Sequence, residues 1–223
     1  MQNAAVLWTG GKDSALALHE AGRNGCRVCG LVTFAPPEPD FLAHPLPFLK
    51  LQAQALVLPH HVLSITGPSE AGYETALRKL RDEMGVEAVI TGDIAEVAGS
   101  PNWIRERCRP LGMAVHTPLW GRDRLTLLGQ LIGQGFRVRF SCVKTRWLDE
   151  SWVGRELDDG AVAELIQVRE RNGLDLCGEE GEYHTLVTDG PNFMRRIEVR
   201  SAVTCPRDSL AHWKIRELEL SEK

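Results

Sequence analysis

Ala4-Ala5-Val6-Leu7-Trp8-Thr9-Gly10-Gly11-Lys12-Asp13-Ser14 is the stretch on which the fold turns. An apolar run stops at two glycines, and an Ala- and Leu-rich segment follows from Ala15 to about Ala21. A buried strand, a glycine turn and a helix is the simplest reading. Glycines let the backbone approach phosphate oxygens closely. N–H groups at the start of the helix then face the anion, helped by the helix dipole. Lys12 adds positive charge, Asp13 suits a Mg²⁺ shared with the phosphates, and the Ser14 hydroxyl donates to phosphate or caps the helix. The loop is not a Walker A motif, because Asp13 follows Lys12, and no Gly-x-Gly-x-x-Gly fingerprint occurs. The competing reading is a plain strand–helix turn with a solvated Lys12–Asp13 pair.

Outward from this loop, strand and helix patterns alternate. Arg27 to Phe34 reads as a strand, and prolines 36, 37, 39, 45 and 47 mark a long exposed loop. Phe48 to Leu58 reads as a helix, His61 to Thr66 as a strand, and Ser69 to Met84 as an amphipathic helix. Ser69 is a plausible cap there and Gly85 a plausible stop. Val86 to Thr91 is another strand, ending in Gly92-Asp93. Ser100-Pro101 suits a helix start, and that helix runs to Leu111-Gly112. Such alternation predicts a parallel sheet with ligands beyond the carboxyl ends of its strands, where Gly10-Gly11 and Gly92-Asp93 fall. The later chain differs. Helices are expected over Asp123 to Gly133 and Asp158 to Asn172. Strands are expected over Phe136 to Val143, His184 to Thr188, Arg196 to Val203 and Trp213 to Leu220. The expected fold class is α/β: a parallel-sheet nucleotide-binding domain over residues 1–117, then a smaller mixed α+β domain over 118–223.

Composition narrows the function classes. The 223 residues hold 43% hydrophobic and 25% charged residues, an ordinary globular mixture. Net charge is −4, from 26 basic and 30 acidic residues, so a strongly basic nucleic-acid binder is not indicated. No apolar run approaches the ~20 residues needed to span a bilayer. The start, Met1-Gln2-Asn3, lacks the basic, apolar pattern of a signal peptide. Six cysteines do not make a disulfide scaffold at this length, and reduced thiols in a cytoplasmic protein fit better. There is no room for a complete glutaminase domain beside a nucleotide-binding one, so nitrogen for any amidation has to arrive as free ammonia or from a separate protein.

A second constellation is Cys177-Gly178-Glu179-Glu180-Gly181-Glu182-Tyr183-His184-Thr185. It packs three carboxylates, a thiol and a histidine into nine residues. Its glycines imply a bent backbone. As it enters a strand, Glu182 and His184 are expected to share one face. Magnesium binding, activation of an amine nucleophile and binding of a cationic group all suit these residues. A solvated acidic hairpin is the alternative.

The first loop resembles the PP-loop of the adenine nucleotide α-hydrolase superfamily, usually Ser-Gly-Gly-x-Asp-Ser, with Thr9 in place of the first serine. With the second constellation, the resemblance becomes specific to the diphthine–ammonia ligase family of PP-loop ATPases. It runs from Ala4 to about Leu220 through Gly92-Asp93-Ile94, Cys108 with Leu111-Gly112, and Pro118-Leu119-Trp120. It continues through Trp152-Val153-Gly154-Arg155, Gly178 to Thr185, and Asp189-Gly190-Pro191.

The resemblance implies that a substrate carboxylate attacks the α-phosphate of ATP. The products are an acyl-adenylate and pyrophosphate, and ammonia then displaces AMP to leave an amide. It implies ATP and Mg²⁺ as cofactors, with Thr9, Gly10, Gly11, Lys12, Asp13 and Ser14 holding phosphates and Asp13 on the metal. Asp93 is the candidate for a metal or adenosine contact. Lys12, Asp13, Glu179, Glu182 and His184 are the candidate catalytic set, the last three facing ammonia or the acyl group. Family members act on diphthine carried by elongation factor 2. Here Gly67-Pro68-Ser69-Glu70-Ala71-Gly72-Tyr73-Glu74 lacks most of their acidic cluster. The His184 form of the second motif resembles a bacterial branch, for which another carboxylate, as in corrinoid salvage, is the alternative substrate. Neither membrane nor nucleic acid is an expected partner, and a homo-oligomer is compatible with the sequence.

Two further function classes compete. A non-catalytic nucleotide-binding regulator would place a second glycine-rich loop late in its domain, and none is found. An RNA-modifying enzyme would need a basic module. Among residual signals, Cys26-Arg27-Val28-Cys29 lacks the second pair that a zinc site needs. Cys177 keeps a place as a reactive thiol, with a buried packing role as the alternative. Arg105, Arg107 and Arg109, and Arg137 and Arg139, read as solvated faces, anion binding being the minority reading. Trp120 and Trp152 are candidates to line a substrate cleft.

Overall fold

The computed structural model describes residues 2–66, 69–96 and 102–223. The chain forms two compact units. The first is Met1–Thr9, Asp13–Asp40 and Leu58–Gly121; the second is Gly10–Lys12, Phe41–Val57 and Arg122–Lys223.

The first unit carries a five-stranded sheet, β1 (Asn3–Leu7), β2 (Arg27–Ala35), β3 (His60–Ser64), β4 (Ala88–Ile90) and β5 (Ala114–His116). Their order is β3-β2-β1-β4-β5, with every pairing parallel. It is a Rossmann-like, doubly wound sheet. Ala4, Val6, Val89 and Ile90 are fully buried, as strands covered on both faces demand. α1 (Lys12–Arg23), α3 (Ser69–Met84) and α4 (Trp103–Cys108) are its helices. Leu77 and Leu80 of α3 and Ile104 and Cys108 of α4 pack with Ala5, Val32 and Val89 in one core. Fully burying such a side chain stabilises by about 1.5–3 kcal/mol. Strand order reverses about β1, so the switch point lies beyond β1 and β4, where ligands bind in such sheets.

The second unit carries an antiparallel sheet of β6 (Arg137–Lys144), β7 (Tyr183–Asp189), β8 (Arg196–Arg207) and β9 (Leu210–Ser221), in the order β7-β6-β9-β8. α5 (Arg124–Gly133) and α6 (Asp159–Asn172) start at Asp123 and Asp158. Each carboxylate accepts the N–H three residues on. Phe140 is fully buried, with Trp152 and Tyr183 ring centroids 5.1 and 5.0 Å away.

Several expectations change. α2 (Leu46–Leu56), read as a helix serving the parallel sheet, belongs with the second unit. Ala55 O there accepts the Met194 N–H at 2.7 Å. Its apolar positions say only that it is buried, not against what. It ends at Val57, whose φ of 56° is unusual for a β-branched residue. β5 was not expected, since three residues carry almost no periodicity. β8 and β9 each run to 12 residues, well past the expected bounds. The expected helix start at Ser100-Pro101 lies outside the described residues, as does the side chain of Ser69. The described α4 is capped by Asn102, whose side chain accepts the Arg105 N–H.

Candidate active site

At the switch point of the first unit, Gly92 follows β4 and meets the start of α1. A Cβ on Gly92 would lie 2.6 Å from the carbonyl carbon of Asp13 and 2.8 Å from Ser14 N. Only glycine permits this approach. The Thr9 hydroxyl donates to Ser14 Oγ at 3.3 Å, so two hydroxyls stand together at the helix N-terminus. Asp93 is half-buried, and its Oδ2 accepts from Thr91 Oγ1 at 2.8 Å and Asn102 Nδ2 at 2.6 Å. A helix N-terminus with paired hydroxyls fits a phosphate group. Among the described residues no group of three His, Cys, Asp or Glu is placed to hold a metal ion.

The remaining loop residues, Gly10–Lys12, are built into the second unit. Gly10 has φ +74°, and its carbonyl accepts from Val187 N at 3.0 Å and Gln52 Nε2 at 2.8 Å. Gln52 is fully buried and donates also to Val187 O at 2.8 Å, so one amide bridges the loop and β7. Lys12 N donates to Thr185 Oγ1 at 3.1 Å. The Lys12 ammonium is 2% exposed. It donates to Cys177 O at 2.5 Å and lies 5.4 Å from the centroid of the Tyr183 ring. A buried ammonium needs such partners, because losing its hydration costs several kcal/mol, on the order of the penalty for any buried ion. Lys12 anchors the glycine loop to the acidic turn.

That turn is organised by Asp175. Its Oδ1 accepts Cys177 N at 2.8 Å, and its Oδ2 accepts Arg124 Nε at 3.1 Å. Its own N–H donates to Glu182 Oε1 at 3.0 Å. The turn also holds Gly178 and Gly181 at φ +75° and +74°, and Tyr183 donates to Leu176 O at 2.5 Å. Glu182 is 2% exposed, and its Oε2 has no hydrogen-bond partner among the described residues. Such an oxygen is costly unless something binds it. Glu179 is half-buried, with its N–H directed to Asp175 Oδ1 at 3.5 Å.

Glu182 and His184 do not share a face in the expected way. β7 begins at Tyr183, so Glu182 belongs to the turn and folds inward, whereas His184 is exposed. The His184 ring packs edge-on against His44, centroids 5.2 Å apart. Its pKa is pushed down from 6.5 to about 4, by desolvation first and then by the Lys12 and Lys144 ammonium groups. The residue keeps solvent access, so desolvation is partial. The direction still stands on two like charges, and the imidazole is neutral at pH 7.

Other sequence signals resolve plainly. Cys177 is buried, with its thiol 3.7 Å from Arg124 O, and none of the six cysteines forms a disulfide. Trp152 is core, with the Arg155 guanidinium over it, and Arg105 covers Trp120. Asp175, Arg124, Gln52, His44 and Lys144 were missed as site residues. Only Asp175 had a local signal, an Asp two residues before a Cys-Gly turn.

The profile of the diphthamide synthase N-terminal domain matches residues 1–115, and that of the C-terminal domain matches residues 123–218. A bovine (Bos taurus) protein named diphthine–ammonia ligase is 26% identical, covering 98% of this chain and 92% of its own length. Its human (Homo sapiens) counterpart is 25% identical over the same shares. A structure described as a predicted subunit of tRNA methyltransferase from Methanocaldococcus jannaschii aligns at TM-score 0.46 and 19% identity. It covers 84% of this chain and 96% of that one, a likeness too distant to bear on function. The chain belongs to the diphthamide synthase family.

Proposed function

We propose that this chain is an ATP-dependent ligase that forms AMP and converts a substrate carboxylate to an amide. The carboxylate oxygen attacks the ATP α-phosphorus, and pyrophosphate leaves with the bridging oxygen. Ammonia then attacks the acyl carbon, loses a proton, and AMP departs. Supporting this is one observation above others: Lys12, a residue of the phosphate loop, is tied by its side chain to Cys177 O and by its N–H to Thr185. The turn bearing the unpartnered Glu182 oxygen thus begins where the loop is anchored.

In this reading Thr9, Gly10, Gly11, Asp13 and Ser14 hold the phosphates, with Lys12 supplying charge from behind the loop. Asp13 shares Mg²⁺ with the phosphates, and Asp93 contacts adenosine or the metal. Glu182 Oε2 accepts from incoming ammonium. Neutral His184 faces the incoming ammonia, whose ammonium form gives up its proton to water before the attack. Glu179 flanks that path. A non-catalytic nucleotide binder would have no use for a buried carboxylate oxygen with nothing to bind, which favours an enzyme. The substrate of the named relatives, diphthine on a protein, is the first substrate to try. The short acidic content of Ser69 to Glu74 keeps a free carboxylate, such as a corrinoid precursor, as the second. The chain acts in the cytoplasm in this reading, and among the described residues no helix is long and apolar enough to cross a membrane.

Incubation with ATP, Mg²⁺, ¹⁵N-ammonium and candidate acids should release AMP and pyrophosphate and put ¹⁵N into an amide. Release of ADP and phosphate instead would sink the reading. Tight ATP binding without turnover on any acid would favour the regulator.

A further inference from the structure

In the sheet of the second unit, Cys142 of β6 lies opposite His184 of β7 on one side and His212 of β9 on the other. Residues opposite one another share a face, as do residues two apart on a strand. Lys144 therefore stands on the face of both imidazoles and diagonal to each, with Leu210 opposite it on β9. None of these paired residues is acidic, and burial pushes the Cys142 thiol up, so it is uncharged. The Lys144 ammonium donates to Glu180 O at 3.0 Å and makes no ion pair among the described residues. It is lodged against the turn: a Cβ on Gly181 would lie 3.2 Å from it, and glycine leaves it room. Lys144 N donates to Glu182 O at 2.8 Å, so these two residues are neighbours across the ladder. The Glu182 carboxylate nevertheless turns away, buried, with Oε1 on Asp175 N. His212 Nδ1 is buried without a hydrogen-bond partner among the described residues. At His184 the charges that act are the Lys12 and Lys144 ammonium groups, both positive.

We propose that Lys144 is a further catalytic residue, binding the oxygen of the substrate carboxylate that does not attack ATP. The inference rests on the ligase reading for the reaction, but not for the binding of a carboxylate. When ammonia adds to the acyl carbon, a C–N bond forms and the carbonyl π pair moves onto that oxygen. The Lys144 ammonium meets the charge as it develops. The pair re-forms the carbonyl as the C–O bond to AMP breaks, and the nitrogen gives a proton to water. Glu182 receives ammonium in the same reading, so nucleophile and oxyanion fall at neighbouring residues. A compact ammonium with three donors can serve one oxygen while keeping its bond to Glu180 O. The competing role is that Lys144 only ties down the turn.

Sodium acetate is the probe, titrated at constant ionic strength into the full chain while the His184 imidazole is followed by NMR. Acetamide, of the same shape without the charge, and sodium phosphate run alongside. Acetate should shift the His184 resonance to saturation, and acetamide should not. Lys144→Met should weaken acetate by about tenfold or more, and Lys144→Arg, which keeps the charge, should recover part of it. Arg216→Glu, exposed on β9, should bind acetate as wild type does. Equal binding by wild type and Lys144→Met would overturn the proposal, as would tighter binding of phosphate than of acetate. Equal loss in Lys144→Arg and Lys144→Met would also overturn it, leaving Lys144 as a tie for the turn. With an acid that supports AMP release, Lys144→Met should lower kcat for amide formation by about a hundredfold and leave the KM for ATP unchanged. If acetate binds through Lys144 but no acid supports AMP release, the ligase reading alone fails.

Discussion

The Lys12 ammonium donates to Cys177 O at 2.5 Å across 165 residues of chain. Both groups are buried, and the contact joins the phosphate loop to the acidic turn within one compact unit. Lys12→Met keeps the stem and removes the charge, leaving the Cys177 carbonyl without this donor. It should cost about 1–3 kcal/mol of stability in urea denaturation. It should also abolish AMP release under conditions where the variant is still folded. Normal turnover in a destabilised variant would reduce Lys12 to a structural role.

Gln52 presents its amide nitrogen to two carbonyls, Gly10 O and Val187 O, at 2.8 Å each. Gln52→Glu replaces a donor with a charge facing two acceptors at a fully buried position, and should cost about 3–5 kcal/mol. Gln52→Met, which removes the polar head without adding charge, should be the milder change. Thermal melts of the two variants give the order directly.

Gly92→Ala should damage nucleotide chemistry more than its size suggests. The new Cβ would lie 2.6 Å from backbone at Asp13, and backbone cannot swing aside like a side-chain tip. A stability loss of about 1–3 kcal/mol is expected, with a clear rise in the KM for ATP. Gly129→Ala, where nothing lies near the new Cβ and the backbone is not left-handed, is the control.

Asp175→Asn keeps the size and loses the charge that faces Arg124. It should loosen the turn, with stability lower by about 1–2 kcal/mol. The KM for ammonium should rise more than the KM for ATP, because the turn carries Glu182. Equal rises in both would mean that the aspartate merely holds the unit together.

His184 should stay neutral through physiological pH. Its folded-state pKa of about 4 lies below the ordinary 6.5, so between these values the unfolded chain binds more protons than the folded one. This contribution to stability is complete above pH 6.5 and is lost as pH falls through 4. Histidine resonances followed by NMR should show one imidazole that does not titrate between pH 5.5 and 8. Lys144→Met removes one of the two nearby positive charges and should move that pKa up towards 6.5.

Much of the first unit was legible because its signals are local. Val86 to Thr91 and Ala4 to Trp8 are short apolar runs ending in turn residues, and both became central strands. Asp123 and Asp158 announce their helices by residue type alone, since a carboxylate at the cap satisfies a backbone N–H that no helix can. Cys177 to Thr185 was recognisable as a constellation because its residues are contiguous. α2 was legible as a helix and misplaced as a packing element. β5, at three residues, was beneath what periodicity can register.

Taken alone, the order of residues determined most of the strands and helices, short β5 excepted, and where the loop and the turn lie. It also determined that the chain is mildly acidic and carries no membrane-spanning helix among its described residues. Those properties follow from near neighbours: hydrogen bonds within a helix, alternation along a strand, the φ freedom of glycine. Only the tertiary structure decided that Lys12 faces Cys177, that Gln52 bridges Gly10 and Val187, and that Glu182 turns inward while His184 stays out. It also decided that Arg137 and Arg139 share the Glu156 carboxylate. Each of these joins residues distant in sequence or sets a side chain's direction by what packs around it. A buried charge or amide takes whichever partner the packed chain brings within about 3 Å, and no periodicity encodes that choice.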